Sequence, residues 1–514
     1  MVKKGARVLR LVALCAAPLA LLIALTSWSF SSPVGSSADE DFHLASIWCG
    51  NGIREGRCET GSAANFRRVP LMLLVASECF NGKPEQAASC PALPSSVLTD
   101  TARGNFEGVY PPVFYSVMGI FAGPDISDSV LTMRIFNATV YVAIMTSVFL
   151  LIPRHRRGIL VWGSLVTLAP FGIFLVPSVN PSSWGVVSAS TLWIAMLGYF
   201  EVETPRRRFA IAAIATIAVI LGTGSRADAA AYAAVSIVLV GVLKVERTRR
   251  FLRLALFPAV LVGAAALSFL AAGQANAVNP GVEITVEGDP TTTPQSWASL
   301  FWNNLIRLPE LWAGGFGAPL GGRALWHYTT VPGIIWFPTI LAFGGIIFLG
   351  LRRLNLRKAL AIVAVIGLLI LLPMLWLMRD EILVGQAVQP RYLYPLLIIL
   401  AGVCLLDFPG RDAGLGRVQI SIVALAACVA NLVTQWFTLR RFTTGLDNFS
   451  VNLDLGREWW WPNLPMGPMP LWVFGSLAFG VVCALVIVYG WRSGDSAPDE
   501  GASRATKASR ISGE

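Results

Sequence analysis

A short stretch from Ser36 to His43, SSADEDFH, places three carboxylates and an imidazole within five residues. If the stretch is helical, Asp39 and Glu40 precede His43 by four and three residues and share its face. Carboxylates this close can act as a general base or bind a divalent cation, because like charges raise one pKa and attract positive partners. The alternative is a solvated helix start that Ser36 or Ser37 caps and that the helix dipole favours.

The composition places this cluster in a membrane protein. Of the 514 residues, 55% are hydrophobic and only 14% are charged, with a mean hydropathy of +0.63. Soluble domains carry about a quarter charged residues. The net charge of +10 comes from short basic clusters between apolar runs, a pattern typical of cytoplasmic loops. We therefore expect a protein embedded in a lipid bilayer, with no nucleic-acid partner.

The apolar runs predict an all-α polytopic membrane protein with about 12 transmembrane helices, within a range of about 11 to 13. The first runs from Leu11 to about Phe30. The others are expected at about 129–152, 159–177, 184–200, 209–223, 227–243, 254–272, 331–350, 359–378, 391–407, 418–437 and 470–491. Basic clusters such as PRHRRG, ETPRRR and RRLNLRK all fall on one side of these spans. That side, with both termini, is expected to be the cytoplasmic face of the cell membrane.

The predicted organisation is one transmembrane domain, 1–491, followed by a disordered cytoplasmic tail, 492–514. Its extracytoplasmic parts are a large first loop, a second large loop and a last loop, at 31–128, 273–330 and 438–469. Within the first loop, RRVPLMLLVASECF at 67–80 and GVYPPVFYSVMGIFAG at 108–123 are too short to span. Both are predicted to be helices that lie on the membrane, the first amphipathic and the second able to dip into it.

Half of the eight cysteines lie in this first loop: Cys49, Cys58, Cys79 and Cys90. Four cysteines in a polar loop favour disulfides in an oxidising compartment, and they can pair in three ways. A zinc site is the alternative, but no C-x-x-C pair occurs and His43 is the only histidine nearby. The simplest pairing is Cys49–Cys58 with Cys79–Cys90, because short loops of this size close without much strain.

Polar residues also lie at the predicted extracytoplasmic ends of the spans. Asn180 precedes Pro181 in SVNPSSW, where capping of the next helix would explain it. Arg226 lies near Asp228 in a short loop at the membrane surface. A charge there needs either a functional role or a partner, and the alternative to a functional role is an ion pair between these two residues. Arg391 opens a later span; its planar guanidinium suits a phosphate or a carboxylate, and a snorkelling interfacial arginine is the alternative. Together with the acidic cluster, these groups suit a lipid phosphate held by arginine while a carboxylate deprotonates a hydroxyl.

The order of these motifs resembles the GT-C superfamily of membrane glycosyltransferases. More closely, it resembles a family of bacterial polytopic membrane proteins of unknown function that is grouped with GT-C. The matching residues are Asp39, Glu40 and His43 in ADEDFH, Tyr110-Pro111-Pro112, Asn180-Pro181 in SVNPSSW, and Arg391-Tyr392 in QPRYLYP. The shared plan covers roughly residues 8–437.

GT-C enzymes use a polyprenyl-phosphate sugar donor and place a catalytic acid in the first extracytoplasmic loop. The resemblance implies that Asp39 is the catalytic base, with Glu40 as its neighbour or substitute, and that Arg391 binds the donor phosphate. The expected substrate-binding set is completed by His43, Tyr110, Asn180, Arg226 and Tyr392. A divalent cation, Mg or Mn, is a further expectation at Asp39 and Glu40. The chain is expected to depart from the pattern, with no soluble carbohydrate-binding domain after the last span and no obvious second acidic pair.

The expected function is transfer of a sugar from a polyprenyl-phosphate carrier to a cell-envelope glycan or lipid acceptor. Lipid phosphate is a good leaving group, so the protein's main tasks are positioning, phosphate neutralisation and proton removal. A transporter or flippase for a lipid-linked sugar is the first alternative. It predicts ionisable groups near the bilayer midplane, where the assigned spans carry few. A noncatalytic protein of envelope assembly is the second.

Overall fold

The structure, a computed structural model, describes residues 2–90, 94–273, 296–320, 331–407, 410, 412–461 and 464–492, with side chains from residue 15 onward. In these ranges, nine helical segments are long and apolar enough to cross a membrane. They are Ile126–Leu151, Arg154–Leu175, Ser182–Glu201, Ala227–Lys244, Arg249–Ala271, Gly333–Gly350, Leu356–Arg379, Arg417–Thr443 and Pro468–Trp491. Two shorter apolar helices are Cys15–Phe30 and Pro390–Cys404. This composition fits the predicted multi-pass membrane protein.

The helices, in chain order, are α1 (Val2–Phe30), α2 (Glu40–Trp48), α3 (Met72–Val75), α4 (Pro112–Met118), α5 (Ile126–Leu151), α6 (Arg157–Thr167), α7 (Ile173–Leu175), α8 (Ser182–Glu201), α9 (Pro205–Thr223), α10 (Ala227–Lys244), α11 (Arg249–Ala271), α12 (Trp297–Gly314), α13 (Gly333–Gly350), α14 (Leu356–Arg379), α15 (Pro390–Cys404), α16 (Arg417–Thr443) and α17 (Pro468–Trp491). A 3-10 turn, Arg154–Arg156, precedes α6, and a π-helical turn, Leu168–Gly172, joins α6 to α7.

Helices α8 and α15 form the centre of the bundle. Nearly every residue of both is buried, as expected for helices that are hydrophobic all round. They pack against each other, and a Cβ atom on Gly402 of α15 would overlap the ring of Trp193 of α8. Small residues allow this close approach between membrane helices. The peripheral helix α11 instead exposes Leu252, Leu256 and Leu267, which fits a surface that faces lipid.

The first large loop, 31–128, contains a small sheet that the all-α prediction missed. Residues 67–80, predicted to be a surface helix, instead form strand β2 (Arg67–Pro70) and the single turn of α3. Strand β2 lies between β1 (Glu59–Thr60) and β3 (Leu98–Thr101), antiparallel to both. The helix prediction is wrong because Pro70 has no amide hydrogen for a helix interior, whereas the end of a strand accepts it.

The second predicted surface helix, in residues 108–123, is the seven-residue helix α4. It begins at Pro112, as the proline pair predicts. Its residues Phe114, Tyr115 and Met118 are buried, and the Phe114 ring lies edge-on to Trp184 of α8 with centroids 5.2 Å apart. Helix α4 therefore packs against the helix bundle and is not a separate surface helix.

Both predicted disulfides, Cys49–Cys58 and Cys79–Cys90, are present, so the predicted pairing is confirmed. The first joins the end of α2 to the segment before β1. The second lies in a cluster with Phe442 near the end of α16. From the same helix the buried Arg441 donates hydrogen bonds to the carbonyls of Phe80, Lys83 and Gln86. These contacts anchor the first large loop to the bundle.

The predicted loop 273–330 lies largely outside the described residues, and helix α12 is the main element described within it. The predicted tail, 492–514, lies outside them apart from Arg492.

Candidate functional site

Asp39 precedes α2 and has a left-handed backbone conformation, with φ 56° and ψ 25°. This conformation is uncommon outside glycine, and such positions cluster at functional sites. Asp39 occupies the N-cap position, yet its side chain makes no capping hydrogen bond. The expected cap by Ser36 or Ser37 is not formed either, because both serines are buried and lie before the N-cap. The carboxylate of Asp39 therefore serves another purpose than capping.

Arg391, the second residue of α15, binds this segment at two points. Its Nη2 donates to Oδ2 of Asp39, and its Nη1 donates to the carbonyl of Ala38 at 3.3 Å. The side chain of Arg391 is only 2% exposed, whereas that of Asp39 is 42% exposed. A snorkelling arginine does not fit this burial. The ion pair instead leaves one side of the Asp39 carboxylate accessible.

The carbonyl of Ala38 also accepts a hydrogen bond from Asn180. Asn180 Nδ2 lies 2.8 Å from this oxygen, and its Oδ1 accepts from the amide of Ser182 at 2.9 Å. The second contact lies at the start of α8, as in the alternative of a helix-start role for Asn180, although the N-cap residue itself is Pro181. The two contacts together connect the starts of α2 and α8, and they orient Asp39 from the backbone side.

Opposing effects set the pKa of Asp39. Burial raises the pKa of Asp39, but the positive charges of Arg391 and Arg103 lower it by a larger amount. The pKa therefore lies below the ordinary value of 3.8. Arg103 Nη2 lies 3.9 Å from Oδ1 of Asp39. The carboxylate is therefore ionised at neutral pH.

Arg103 is a site residue that sequence reasoning missed. It donates to both oxygens of Asp41, at 2.5 and 3.1 Å, and its guanidinium lies 5.7 Å from the centre of the Phe42 ring. The first large loop contains other arginines, such as Arg54 and Arg57. No local pattern distinguishes Arg103 from them, because only the fold brings β3 and its following residues to α2.

Glu40 has different surroundings from Asp39. Its side chain is fully buried and accepts from Arg134 Nη2 at 3.1 and 3.4 Å and from the amide of Ser37 at 3.0 Å. Arg134 also donates to the carbonyls of Ser29, Ser32 and Pro33. Glu40 is thus the internal counter-ion of Arg134, and the structure does not bring its carboxylate to the accessible side of Asp39.

The expected cation site at Asp39 and Glu40 does not fit this geometry. Each carboxylate is paired with a different guanidinium. A magnesium ion needs one or two carboxylates whose oxygens are free to coordinate it, and here the guanidinium groups occupy both oxygens of Glu40 and Oδ2 of Asp39. Over the ranges that the structure describes, no group of three or more His, Cys, Asp and Glu side chains could hold a metal ion.

His43 lies next to Asp39, and its ring is surrounded by aromatic side chains. Its Nδ1 shares a hydrogen bond of 3.0 Å with the hydroxyl of Tyr115, and its ring centroid is 5.6 Å from that of Tyr110. Burial lowers the pKa of His43 from 6.5 to about 3. The imidazole is therefore neutral at physiological pH and adds no charge beside Asp39.

Arg226 approaches from the start of α10. Its Nε and Nη2 donate to the two carboxylate oxygens of Asp228 at 2.8 and 2.7 Å, so the ion pair that was the alternative to a substrate-binding Arg226 is present. The guanidinium also lies 4.7 Å from the ring centre of Tyr392 and 5.7 Å from that of Tyr110. Its Nη1 is buried and has no hydrogen-bond partner. Since a buried charged donor without a partner is costly, a ligand acceptor here would be stabilising.

Tyr392 is shared by two arginines. Its ring centre lies 5.3 Å from the guanidinium carbon of Arg391 and 4.7 Å from that of Arg226, and its hydroxyl accepts from Arg391 Nη2 at 3.4 Å. The Nε of Arg391 is also buried without a partner. Two cations with unused donors thus share the ring of Tyr392, and one of them, Arg391, is paired with the accessible carboxylate of Asp39, an arrangement suited to a phosphate.

A narrow pocket opens behind this group, lined by Ser37, Ala38, Phe171, Phe174, Leu175, Asn180 and Arg391. Its volume is about 10 Å³, which is close to the space one water molecule needs. A sugar does not fit there. A ligand larger than a water molecule would therefore approach from the exposed side of Asp39.

The structure brings together seven of the eight predicted catalytic and substrate-binding residues: Asp39, His43, Tyr110, Asn180, Arg226, Arg391 and Tyr392. Glu40 has a separate environment. Sequence reasoning missed Tyr115 as well as Arg103. The spacing of residues along the chain does not indicate that Tyr115 contacts His43.

The fold and site define a multi-pass helical membrane protein with a charged, aromatic-lined group of residues at one end of its bundle. The family of predicted membrane proteins DUF2142 matches residues 21–400. The chain belongs to this family, and the matched range includes every residue of the site from Ser37 to Tyr392. No curated protein matches the sequence.

Proposed function

We propose that this chain is a membrane glycosyltransferase of GT-C type. It transfers a sugar from a polyprenyl-phosphate donor to a cell-envelope glycan or lipid acceptor. One observation carries the proposal: the buried Arg226 and Arg391 share the ring of Tyr392, each keeps a nitrogen without a hydrogen-bond partner, and Arg391 is paired with the partly exposed carboxylate of Asp39.

In the proposed reaction, the acceptor hydroxyl attacks the anomeric carbon of the donor sugar. The bond from this carbon to the phosphate oxygen breaks, and its electron pair leaves with the lipid phosphate. Asp39 accepts the proton of the hydroxyl. Arg391 and Arg226 neutralise the negative charge on the phosphate, and their burial strengthens this interaction because water is excluded.

The ion pair between Asp39 and Arg391 links the strength of the base to donor binding. Arg391 lowers the pKa of Asp39, which keeps the carboxylate ionised but makes it a weak base. A phosphate that binds the Nη2 of Arg391 competes with Asp39 for this donor. The pKa of the released carboxylate then rises, and so does its ability to accept a proton.

Glu40 has a supporting role in this proposal. Arg134 joins Glu40 to the carbonyls of Ser29, Ser32 and Pro33, which fixes the chain just before Asp39. The position of the base thus depends on Glu40, although the Glu40 carboxylate is not accessible to a substrate.

We further propose that residues 1–491 form one GT-C-like transmembrane domain with about 12 spans. Helices α1, α9 and α15 would cross the cell membrane together with the nine longer segments. Both termini would be cytoplasmic, and the site would face outward. The support is that Arg226 and Arg391 lie at the starts of α10 and α15, while the basic clusters at 153–158 and 244–253 lie at the opposite helix ends.

The test is sugar transfer from a polyprenyl-phosphate sugar in membranes that contain wild-type or Asp39→Asn protein at equal levels. Asparagine keeps the size of aspartate but accepts no proton, so we expect transfer to fall by at least roughly 100-fold. Asp125→Asn is the matched control, because Asp125 caps α5 through the amide of Asp128 and asparagine caps about as well. Transfer by Asp39→Asn at the wild-type rate would show that Asp39 is not the base.

A deletion strain separates this function from the two alternatives. Loss of a transferase leaves the lipid-linked donor in the outer leaflet and an envelope glycan or lipid without its sugar. Loss of a flippase leaves the donor in the inner leaflet. For a noncatalytic assembly protein, the Asp39→Asn gene would restore the envelope as well as the wild-type gene does.

A further inference from the structure

A second, larger cavity lies at the end of the bundle opposite Asp39. Its volume is about 500 Å³. Three cationic and three apolar side chains line most of it: Arg156, Lys244, Arg357, Leu243, Leu356 and Leu406. Since these residues come from four separate loops and helix ends, the cavity is a product of the fold and not of one local cluster.

Helix α10 relates this cavity to the Asp39 site. Arg226 lies at its N-cap, and Lys244 is its last residue, after 18 helical residues. At 1.5 Å per residue the helix is about 27 Å long, close to the roughly 30 Å thickness of a bilayer's hydrocarbon core. The cavity and the Asp39 site therefore lie near opposite surfaces of a membrane.

The cations of the cavity exceed the carboxylates that neutralise them. Arg156 and Lys244 share one carboxylate, Glu201, at 2.7 and 2.5 Å. Arg357 is exposed, and its Nη1 makes a long hydrogen bond of 3.4 Å to the carbonyl of Leu243. The cavity thus has a positive charge that an anion would neutralise.

Asp407 also lines the cavity, but other groups compensate its charge. Its Oδ2 lies 3.5 Å from Nζ of the buried Lys358 and accepts from Asn355 Nδ2 at 3.3 Å. An anion in the cavity would therefore meet the cations of Arg156, Lys244 and Arg357 without an equal opposing charge.

The cavity opens onto an apolar surface. Leu356, one of its lining residues, is 76% exposed, and Leu354 and Leu360 nearby in the chain are also exposed. A soluble anion would use only the cationic part of this site. An amphiphile would bind both parts, with its charge in the cavity and its chains along the leucines.

We propose that this cavity binds the phosphate headgroup of an anionic phospholipid from the adjacent leaflet, which is the cytoplasmic leaflet in the proposed topology. Arg156, Lys244 and Arg357 bind the phosphate, and the acyl chains lie along Leu356. Basic pockets between membrane helices recognise anionic lipids in this way. The site is independent of the proposed sugar transfer.

The test uses the purified full chain in detergent and measures its melting temperature as lipid is titrated. Phosphatidylglycerol is compared with phosphatidylcholine of the same chains and with inorganic phosphate. We expect phosphatidylglycerol to raise the melting temperature most. Its apparent affinity should fall roughly fivefold in Arg357→Gln and in Lys244→Gln. Arg250→Gln, which removes an exposed charge from the first turn of α11 but not from the cavity, should bind like the wild type.

Equal stabilisation by phosphatidylglycerol and phosphatidylcholine would overturn the proposal. Stabilisation by inorganic phosphate that matches the lipid would also overturn it, because the site would then bind a soluble anion. If Lys244→Gln does not fold, Arg357→Gln decides, since Arg357 is exposed and its removal leaves no carboxylate without a partner. Wild-type lipid affinity in Arg357→Gln would contradict the proposed headgroup site.

Discussion

Arg391 donates a hydrogen bond to the carboxylate of Asp39, which precedes it by 352 residues. The same guanidinium reaches the carbonyl of Ala38, so Arg391 positions both the backbone and the side chain at the start of α2. The arginine is buried and the carboxylate is accessible. A ligand that reaches Asp39 therefore meets a carboxylate and a cation together, and it competes with Asp39 if it binds Nη2 of Arg391.

The change Arg391→Lys should reduce transfer by roughly 100- to 1,000-fold, the loss typical for a removed transition-state donor. Lysine retains the charge, but its single ammonium cannot reproduce the planar pair of nitrogens that reaches Ala38 and Asp39. The measurement is the transfer rate at matched protein levels. Arg68→Lys, in the exposed pair with Glu59, is the control. A mild loss in Arg391→Lys would mean that Arg391 supplies only charge.

Glu40→Gln should reduce the stability of the folded protein more than it reduces the rate of sugar transfer per folded molecule. Loss of one partner of a buried ion pair typically costs about 3–5 kcal/mol, and the Glu40–Arg134 pair is almost fully buried. Thermal or denaturant unfolding of purified protein gives the change in stability, and transfer per folded molecule gives the change in activity. Glu59→Gln, in the more exposed pair with Arg68, should cost less than about 1 kcal/mol. Normal stability with lost transfer in Glu40→Gln would instead favour a catalytic Glu40.

The sequence predicted most of the site because charges at the ends of apolar spans are rare. Arg226 and Arg391 are conspicuous there, since a charge near the membrane core is costly without a partner or a role. The different surroundings of Asp39 and Glu40 could not be predicted. The left-handed backbone at Asp39 and the partner Arg134, within an apolar run, are both set by tertiary packing.

The small sheet in the first large loop was missed for a related reason. Its strands are two to four residues long, too short to show alternating hydrophobicity. The apolar residues after Pro70 then favoured a helix over the whole of 67–80. The disulfides were predictable, because Cys49 and Cys79 each have a cysteine close in sequence.

The stability of the protein should fall as the pH decreases from about 6.5 to about 3, in part because of His43. Its pKa is about 3 in the folded protein because of burial, against an ordinary value of 6.5. Between these values the unfolded chain binds the proton and the folded chain does not. The free energy of unfolding therefore falls by up to about 1.4 kcal/mol per pH unit. In His43→Gln, unfolding measured from pH 7 to pH 4 should show a smaller slope. An unchanged slope would contradict the low pKa of His43.

The proposed topology predicts which introduced cysteines a membrane-impermeant thiol reagent can reach in intact cells. The background keeps both disulfides and replaces Cys15, Cys404, Cys428 and Cys483 by alanine. Ser62→Cys, in the first large loop, should be labelled, and Arg250→Cys, in the basic first turn of α11, should be labelled only after the cells are opened. The expectation rests on the positive-inside rule and on the disulfides, which form in oxidising compartments. Labelling of Arg250→Cys but not Ser62→Cys in intact cells would show that the topology is the reverse of the proposed one. Asp39 and Arg391 would then face the cytoplasm, where they could not use a donor from the outer leaflet.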